Sequence, residues 1–148
     1  MDSGSAHGGT MIIDTMVMAY AVLGVPDFGQ ESLEALHKVD DIVAPVSVEA
    51  ELLNVIWQWG KRGISLEIAQ AVYENASRLW TRLVTLEAVW PTALDLALRH
   101  GHSPYDTLFV ASARYCKTKV LTYDQRLLTL FPNDTTTVKD FLWRGFSK

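Results

Sequence analysis

The chain has 148 residues, 49% apolar and 20% charged, with a net charge of −4 and one cysteine, Cys116. This length and apolar content suit one domain with a sizeable core and exclude global disorder. The lone cysteine excludes an internal disulfide and a multi-cysteine zinc site, and it fits a reducing cytoplasm. No apolar run approaches the roughly 18–20 residues of a membrane span. The acidic balance does not advertise a nucleic-acid partner, although a basic strip on one face is compatible with it.

Residues 1–10, MDSGSAHGGT, are small and polar and lack the basic and apolar regions of a signal peptide. They are expected to form a flexible tail ahead of a single domain over residues 11–148. Met11 to Ile13 read as a short buried strand, followed by a helix over Thr15 to Leu23 that stops near Gly24 and Pro26. DFGQESLEALHKV is amphipathic at helical spacing, and Ile42 to Ala44 form a second strand ended by Pro45. From Val46 to Trp59, Val48, Leu52, Val55, Ile56 and Trp59 repeat as one face of a helix. SLEIAQAVYENASRLW is a further helix with Ser65 as its cap. LVTLEA reads as a third strand or an extended bridge. PTALDLALRHG reads as a helix with Pro91 at its start and Gly101 past its end. SPYDTLFVASARYC is a nearly apolar, hence buried, helix. Lys119 to Thr122 form a strand, Gln125 to Leu130 a short helix and TTTV an edge strand.

Strands separated by helices imply parallel pairing through right-handed crossovers. The expected fold is α/β: a three-layer α/β/α sandwich with a central, mainly parallel sheet of four or five strands. Ligands in such sheets bind beyond the carboxyl ends of the strands. Asp14 and Asp124 each follow a strand, so both belong at that edge.

Four acids merit weighing against plainer roles. Asp14 and Asp124 stand where a helix N-cap is also expected. Asp106 lies three residues after Ser103 with Pro104 between, a capping-box pattern at the mouth of an apolar helix. Glu51 shares a helix side with Ser47, Asn54 and Gln58, as on a solvated face, while Glu49 points about 200° away. Taken together, gathered carboxylates repel and favour protonation unless a cation neutralises them. Oxygen ligands without histidine or cysteine suit Mg2+ or Mn2+. His100 and His102 flank a glycine at a helix end and read as a loop.

The segments IIDTMV, APVSVEAELLNVI, HSPYDTLFVASA and VLTYDQRLL occur in this order. In that order they resemble the PIN domain, a metal-dependent ribonuclease fold, over roughly residues 11–138. SPYDTLFVASA is the most specific stretch. Length and layout are similar to the VapC-type toxins of toxin–antitoxin pairs. The resemblance implies an endoribonuclease in which Asp14, Glu51, Asp106 and Asp124 hold one or two Mg2+ or Mn2+ ions, with in-line attack leaving a 3′-hydroxyl and a 5′-phosphate. Asn54 and Thr122 would orient ligands or substrate, or simply bond within a helix and a strand end. Arg114, Lys117, Lys119 and Arg126 would touch phosphates or lie on solvated surface. Met16 stands where the family commonly carries a small polar residue, so a hydrogen bond beside the site is expected to be missing. The implied partners are RNA, an antitoxin protein and a second copy of the chain. A non-catalytic PIN-like interaction module is the alternative, discriminated by whether a divalent ion sits among the acids. A phosphoacceptor domain fits less well, because the first strand ends in one acid and Lys119 precedes its strand.

Trp57 and Trp59 lie two apart on one helix, so they cannot both face the same core. One is expected at the surface beside an apolar groove, with the helices over Thr15 to Leu23 and Phe28 to Val39 contributing to it.

Overall fold

The computed structural model describes residues 9–147. Among them, five strands form one all-parallel sheet: β1 (Thr10–Ile13), β2 (Asp41–Pro45), β3 (Arg82–Val84), β4 (Val120–Leu121) and β5 (Thr135–Thr136). Their spatial order is β3-β2-β1-β4-β5. The helices are α1 (Thr15–Leu23), α2 (Gly29–Lys38), α3 (Val48–Gly60), α4 (Leu66–Ser77), α5 (Leu86–His100), α6 (Pro104–Cys116), α7 (Gln125–Leu130) and α8 (Val138–Ser147). The three-layer α/β/α arrangement and parallel sheet match the expectation from sequence. No helix among the described residues is long and apolar enough to cross a membrane.

Alternation along the strands builds a core on each face. Met11, Ile13, Ile42 and Leu121 point to one side, where Val17 and Met18 of α1, Leu36 of α2 and Leu52 and Ile56 of α3 pack on them. Ile12, Val43 and Val120 point to the other, against Val89 and Ala93 of α5 and Phe109 of α6. Central strands buried on both faces explain the continuous apolar runs in the sequence. Full burial of a side chain such as Ile12, Phe109 or Leu121 contributes about 1.5–3 kcal/mol.

Several sequence expectations need correction. The tail assigned to residues 1–10 lies outside the described residues up to residue 8. Its last residue, Thr10, opens β1 opposite Asp41, and the Gly9 carbonyl accepts from the backbone of Asp40 and Asp41. Pro91 does not start α5 but sits inside it. The helix runs through it with Val89 and Ala93 buried on either side, despite the roughly 3 kcal/mol that an internal proline costs. LVTLEA divides, its first half in β3 and its second opening α5. No helix was expected after the edge strand, yet α8 follows it and packs on α2.

Candidate metal centre

β1 and β4 run side by side, with Ile13 opposite Leu121. Connections from β1 lead towards β2 and β3, and the connection from β4 leads the other way to β5. The two strands therefore flank the topological switch point, where a crevice opens beyond the carboxyl ends. Asp14 N donates to Leu121 O at 3.0 Å, so the pairing continues one residue past β1. This sets the Asp14 side chain beside Thr122, the next residue after β4.

Asp14 caps α1 with one oxygen, Oδ1 accepting from Thr15 N at 2.8 Å. Its other oxygen, Oδ2, accepts from Thr122 Oγ1 at 2.5 Å. The same Thr122 hydroxyl accepts from Asp124 N at 2.9 Å, tying the two strand-end acids to one atom. Asp124 caps α7, with Oδ1 accepting from Arg126 N at 2.9 Å and Leu127 N at 3.2 Å. That leaves its Oδ2 for the crevice. The expected cap roles are thus filled by one oxygen of each acid.

Asp106 departs from the expected capping box. Ser103 Oγ accepts from Tyr105 N at 3.2 Å, and Asp106 N bonds the Ser103 carbonyl at 3.0 Å. The reciprocal bond from the Asp106 side chain is not made among the described residues. Instead its Oδ2 lies 3.2 Å from His102 Nε2. Glu51 comes from the first turn of α3 and is only half-buried. Its Oε1 accepts from Thr15 Oγ1 at 2.6 Å, which turns the side chain inward rather than to solvent.

Asp14, Glu51, Asp106 and Asp124 line one open cavity of about 760 Å³, together with Asn54, Met16, Tyr20, Tyr105 and Tyr123. Four different stretches of chain deliver the four acids. Burial pushes the Asp14 carboxyl up to about 6, against the hydrogen bonds from Thr122 and Thr15 and with help from the charges of Asp106 and Asp124. Glu51 is also raised, chiefly by burial, with the Thr15 bond opposing and Asp14 and Asp106 adding to the rise. Asp106 is raised by burial and by Asp124, with His102 and Arg126 opposing. Asp14, Glu51 and Asp106 therefore resist carrying their charges in the absence of a counter-charge.

This is the donor chemistry of a hard divalent cation. Carboxylate oxygens dominate, spare lone pairs remain on each acid, and mutual repulsion would be relieved by a positive ion. The residues present thus fit a Mg2+ or Mn2+ site.

Thr15 was not singled out in the sequence, and it supplies a hydrogen bond beside the site even though Met16 cannot. The signal was its position directly after Asp14. His102 lies in the loop between α5 and α6, as the sequence indicates, and its side chain is only 7% exposed and faces Asp106. The basic residues fare differently from expectation. Arg114 forms a two-pronged pair with Asp134, at 3.2 and 2.9 Å. Lys117 caps the end of α6 and Lys119 precedes β4. These lie at the amino end of the strand, away from the acids. Arg126 alone of the four acts electrostatically on the site.

Comparison with known proteins gives a consistent result. A family profile described as the PIN domain matches residues 11–130. Ribonuclease VapC3 from Pyrobaculum aerophilum is 30% identical over 120 residues, covering 77% of this chain and 90% of the relative. The crystal structure of PAE2754 from Pyrobaculum aerophilum superposes with a TM-score of 0.70 at 15% identity, over 97% of this chain and 98% of that one. A toxin–antitoxin complex from Klebsiella pneumoniae gives 0.66 at 12% identity, over 86% and 97%. VapBC2 from Rickettsia felis, bound to a DNA fragment from its promoter, gives 0.63 at 16% identity, over 86% and 98%. At such identities the solved structures establish a shared fold.

Proposed function

The chain belongs to the PIN domain family, and on that premise we propose that it is a Mg2+- or Mn2+-dependent endoribonuclease, the toxin of a cytoplasmic toxin–antitoxin pair. The observation that carries this reading is the convergence of Asp14, Glu51, Asp106 and Asp124, from four separate stretches of chain, on one cavity at the switch point. Its relative named as a ribonuclease supports the same activity.

One or two divalent cations, when bound, lower the pKa of a bound water and offset charge developing on the phosphate. The four carboxylates would hold the cations. Thr122 fixes the orientation of Asp14 and positions Asp124 through its backbone. Thr15 holds Glu51 towards the cavity. Asn54, on the cavity wall one turn beyond Glu51, would hydrogen-bond substrate. Tyr105 is 67% exposed at the cavity rim. Its ring offers a stacking face for an unpaired base, which favours single-stranded RNA. In-line displacement leaves a 3′-hydroxyl and a 5′-phosphate. The acidic total charge is offset locally at Arg126.

Two apolar surfaces remain for protein partners. The first is a groove of about 720 Å³ between α3 and α4, lined by Leu53, Ile56, Trp57, Ile64, Leu66 and Tyr73. Trp57 is 58% exposed there, whereas Trp59 is partly buried. The groove was expected to include α1 and α2, but it is lined by α3, α4 and the turn between them, whereas α8 packs on α2. This groove is assigned to a helix of the antitoxin. The second surface is a stripe on α5, where Leu86, Trp90, Leu94 and Leu98 recur every four residues and all stand exposed. Such a row forms a ridge that packs on its own copy about a twofold axis. It is assigned to a homodimer whose acidic cavities stay open.

The test is cleavage of a fluorescent single-stranded RNA by the purified chain. Activity is expected with Mg2+ or Mn2+, lost on chelation and restored by added metal, with 5′-phosphate product ends. Cleavage that persists in excess chelator would overturn the reading.

A further inference from the structure

His102 is absorbed neither by the core nor by the function proposed above. It stands between the C-cap of α5, Gly101, and the N-cap of α6, Ser103. Its side chain is only 7% exposed. Its Nε2 is buried and makes no hydrogen bond among the described residues. The approach to Asp106 Oδ2 at 3.2 Å is within reach, but its geometry does not satisfy a hydrogen bond. An enclosed polar nitrogen that makes no hydrogen bond is costly and calls for an explanation. One ring nitrogen of His102 and one carboxylate oxygen each of Asp106 and Asp124 all lie within 4.8 Å of one another.

We propose that His102 is a metal ligand, completing with Asp106 and Asp124 a mixed imidazole–carboxylate subsite that favours Mn2+ over Mg2+. The proposal rests on the metal-dependent reading above and deepens it by assigning the cation. Two ligands of one octahedral ion stand roughly 3 Å apart when adjacent and about 4.2 Å when opposite, taking metal–ligand distances near 2.1 Å. The observed separations are close to that range, so modest closure of the three groups about an ion suffices. Mg2+ holds oxygen and keeps its waters, whereas imidazole suits transition ions better. An all-oxygen site has no reason to prefer Mn2+ strongly, and a site with one imidazole has such a reason.

The experiment is Mn2+ titration of the whole chain, followed by pulsed electron paramagnetic resonance of the bound ion. Wild type is expected to show nitrogen coupling from one imidazole. His102→Asn and His102→Leu are both made, since the buried position tolerates one shape better than the other, and circular dichroism checks that each folds. The expected result is loss of the nitrogen coupling and a fall of roughly 10–100-fold in Mn2+ affinity. Mg2+ affinity, measured by competition, should change much less. Bound Mn2+ without nitrogen coupling in wild type would overturn the ligand role and leave the carboxylate site standing. Equal losses of Mg2+ and Mn2+ affinity would also overturn it, because a residue that only orients Asp106 does not discriminate between the ions. Failure of wild type to bind Mn2+ or Mg2+ at all would overturn both this inference and the metal-dependent reading.

Discussion

The Thr122 hydroxyl donates to Asp14 Oδ2 at 2.5 Å, across the seam between β1 and β4. The same Thr122 hydroxyl accepts from Asp124 N. One fully buried side chain thus sets the relative positions of both strand-end acids. Thr122→Val keeps the volume and removes both bonds. The expected cost is roughly 2–3 kcal/mol, since one bond has a charged acceptor and a buried N–H is left without a partner. The loss should be larger at pH 8 than at pH 5, because the Thr122 bond favours the charged form of Asp14. Urea denaturation at the two pH values checks this, and an equal loss at both would contradict it.

Asp14 titrates near 3.8 when unfolded and about 6 when folded. Between those values the folded chain binds the extra proton. Stability therefore falls as pH rises through that window, by about 3 kcal/mol for a shift of this size. Below pH 4 the penalty is absent, and above about pH 6 it is complete. Asp14→Asn carries no such penalty. In excess chelator, the melting temperature of the variant relative to wild type should rise between pH 4 and pH 7. A difference that stays flat across this range would show that Asp14 is not strained by its burial.

Tyr105 stands beside Asp106 with its ring largely in solvent. Tyr105→Ala is expected to raise the KM for single-stranded RNA roughly tenfold, in line with about 1–3 kcal/mol for a stacked base. The kcat should change little. Steady-state cleavage kinetics check the split, and a fall in kcat at constant KM would argue for a role at the acids instead.

The α5 stripe predicts a concentration-dependent dimer. Leu94→Glu places a charge in the middle of Leu86, Trp90 and Leu98 and should shift sedimentation to monomer without lowering the melting temperature of the monomer. A wild-type chain that sediments as a monomer at high concentration would sink the dimer.

Much of this architecture is legible in the sequence because it depends on local rules. Apolar runs bounded by Asp14 and Asp124 announce strands that end at a site, and a run of βα units implies that those ends share an edge. Asp106 was harder to read, since Ser103 and Pro104 suggest an ordinary cap. Only in the fold does its carboxylate turn from capping towards His102. Pro91 misled because proline usually opens a helix, whereas here the burial of Val89 and Ala93 extends the helix ahead of it. The approach of His102 to Asp106 is not legible in the sequence because it depends on how the α5–α6 turn folds against the acids, which no spacing encodes. The position of the apolar groove was illegible for a related reason. It depends on which helices pack side by side, here α3 on α4 and α8 on α2.

In the proposed enzyme the four carboxylates form the centre that cleaves RNA. The most direct measurement of this is single-turnover cleavage of single-stranded RNA by wild type and Asp124→Asn, both nuclease-free and both folded, at saturating Mn2+. The variant keeps the cap oxygen and removes one charge from the cavity. The account predicts a rate lower by roughly 100-fold or more, the scale of a lost transition-state contact worth about 3 kcal/mol. Equal rates for the two proteins would contradict it.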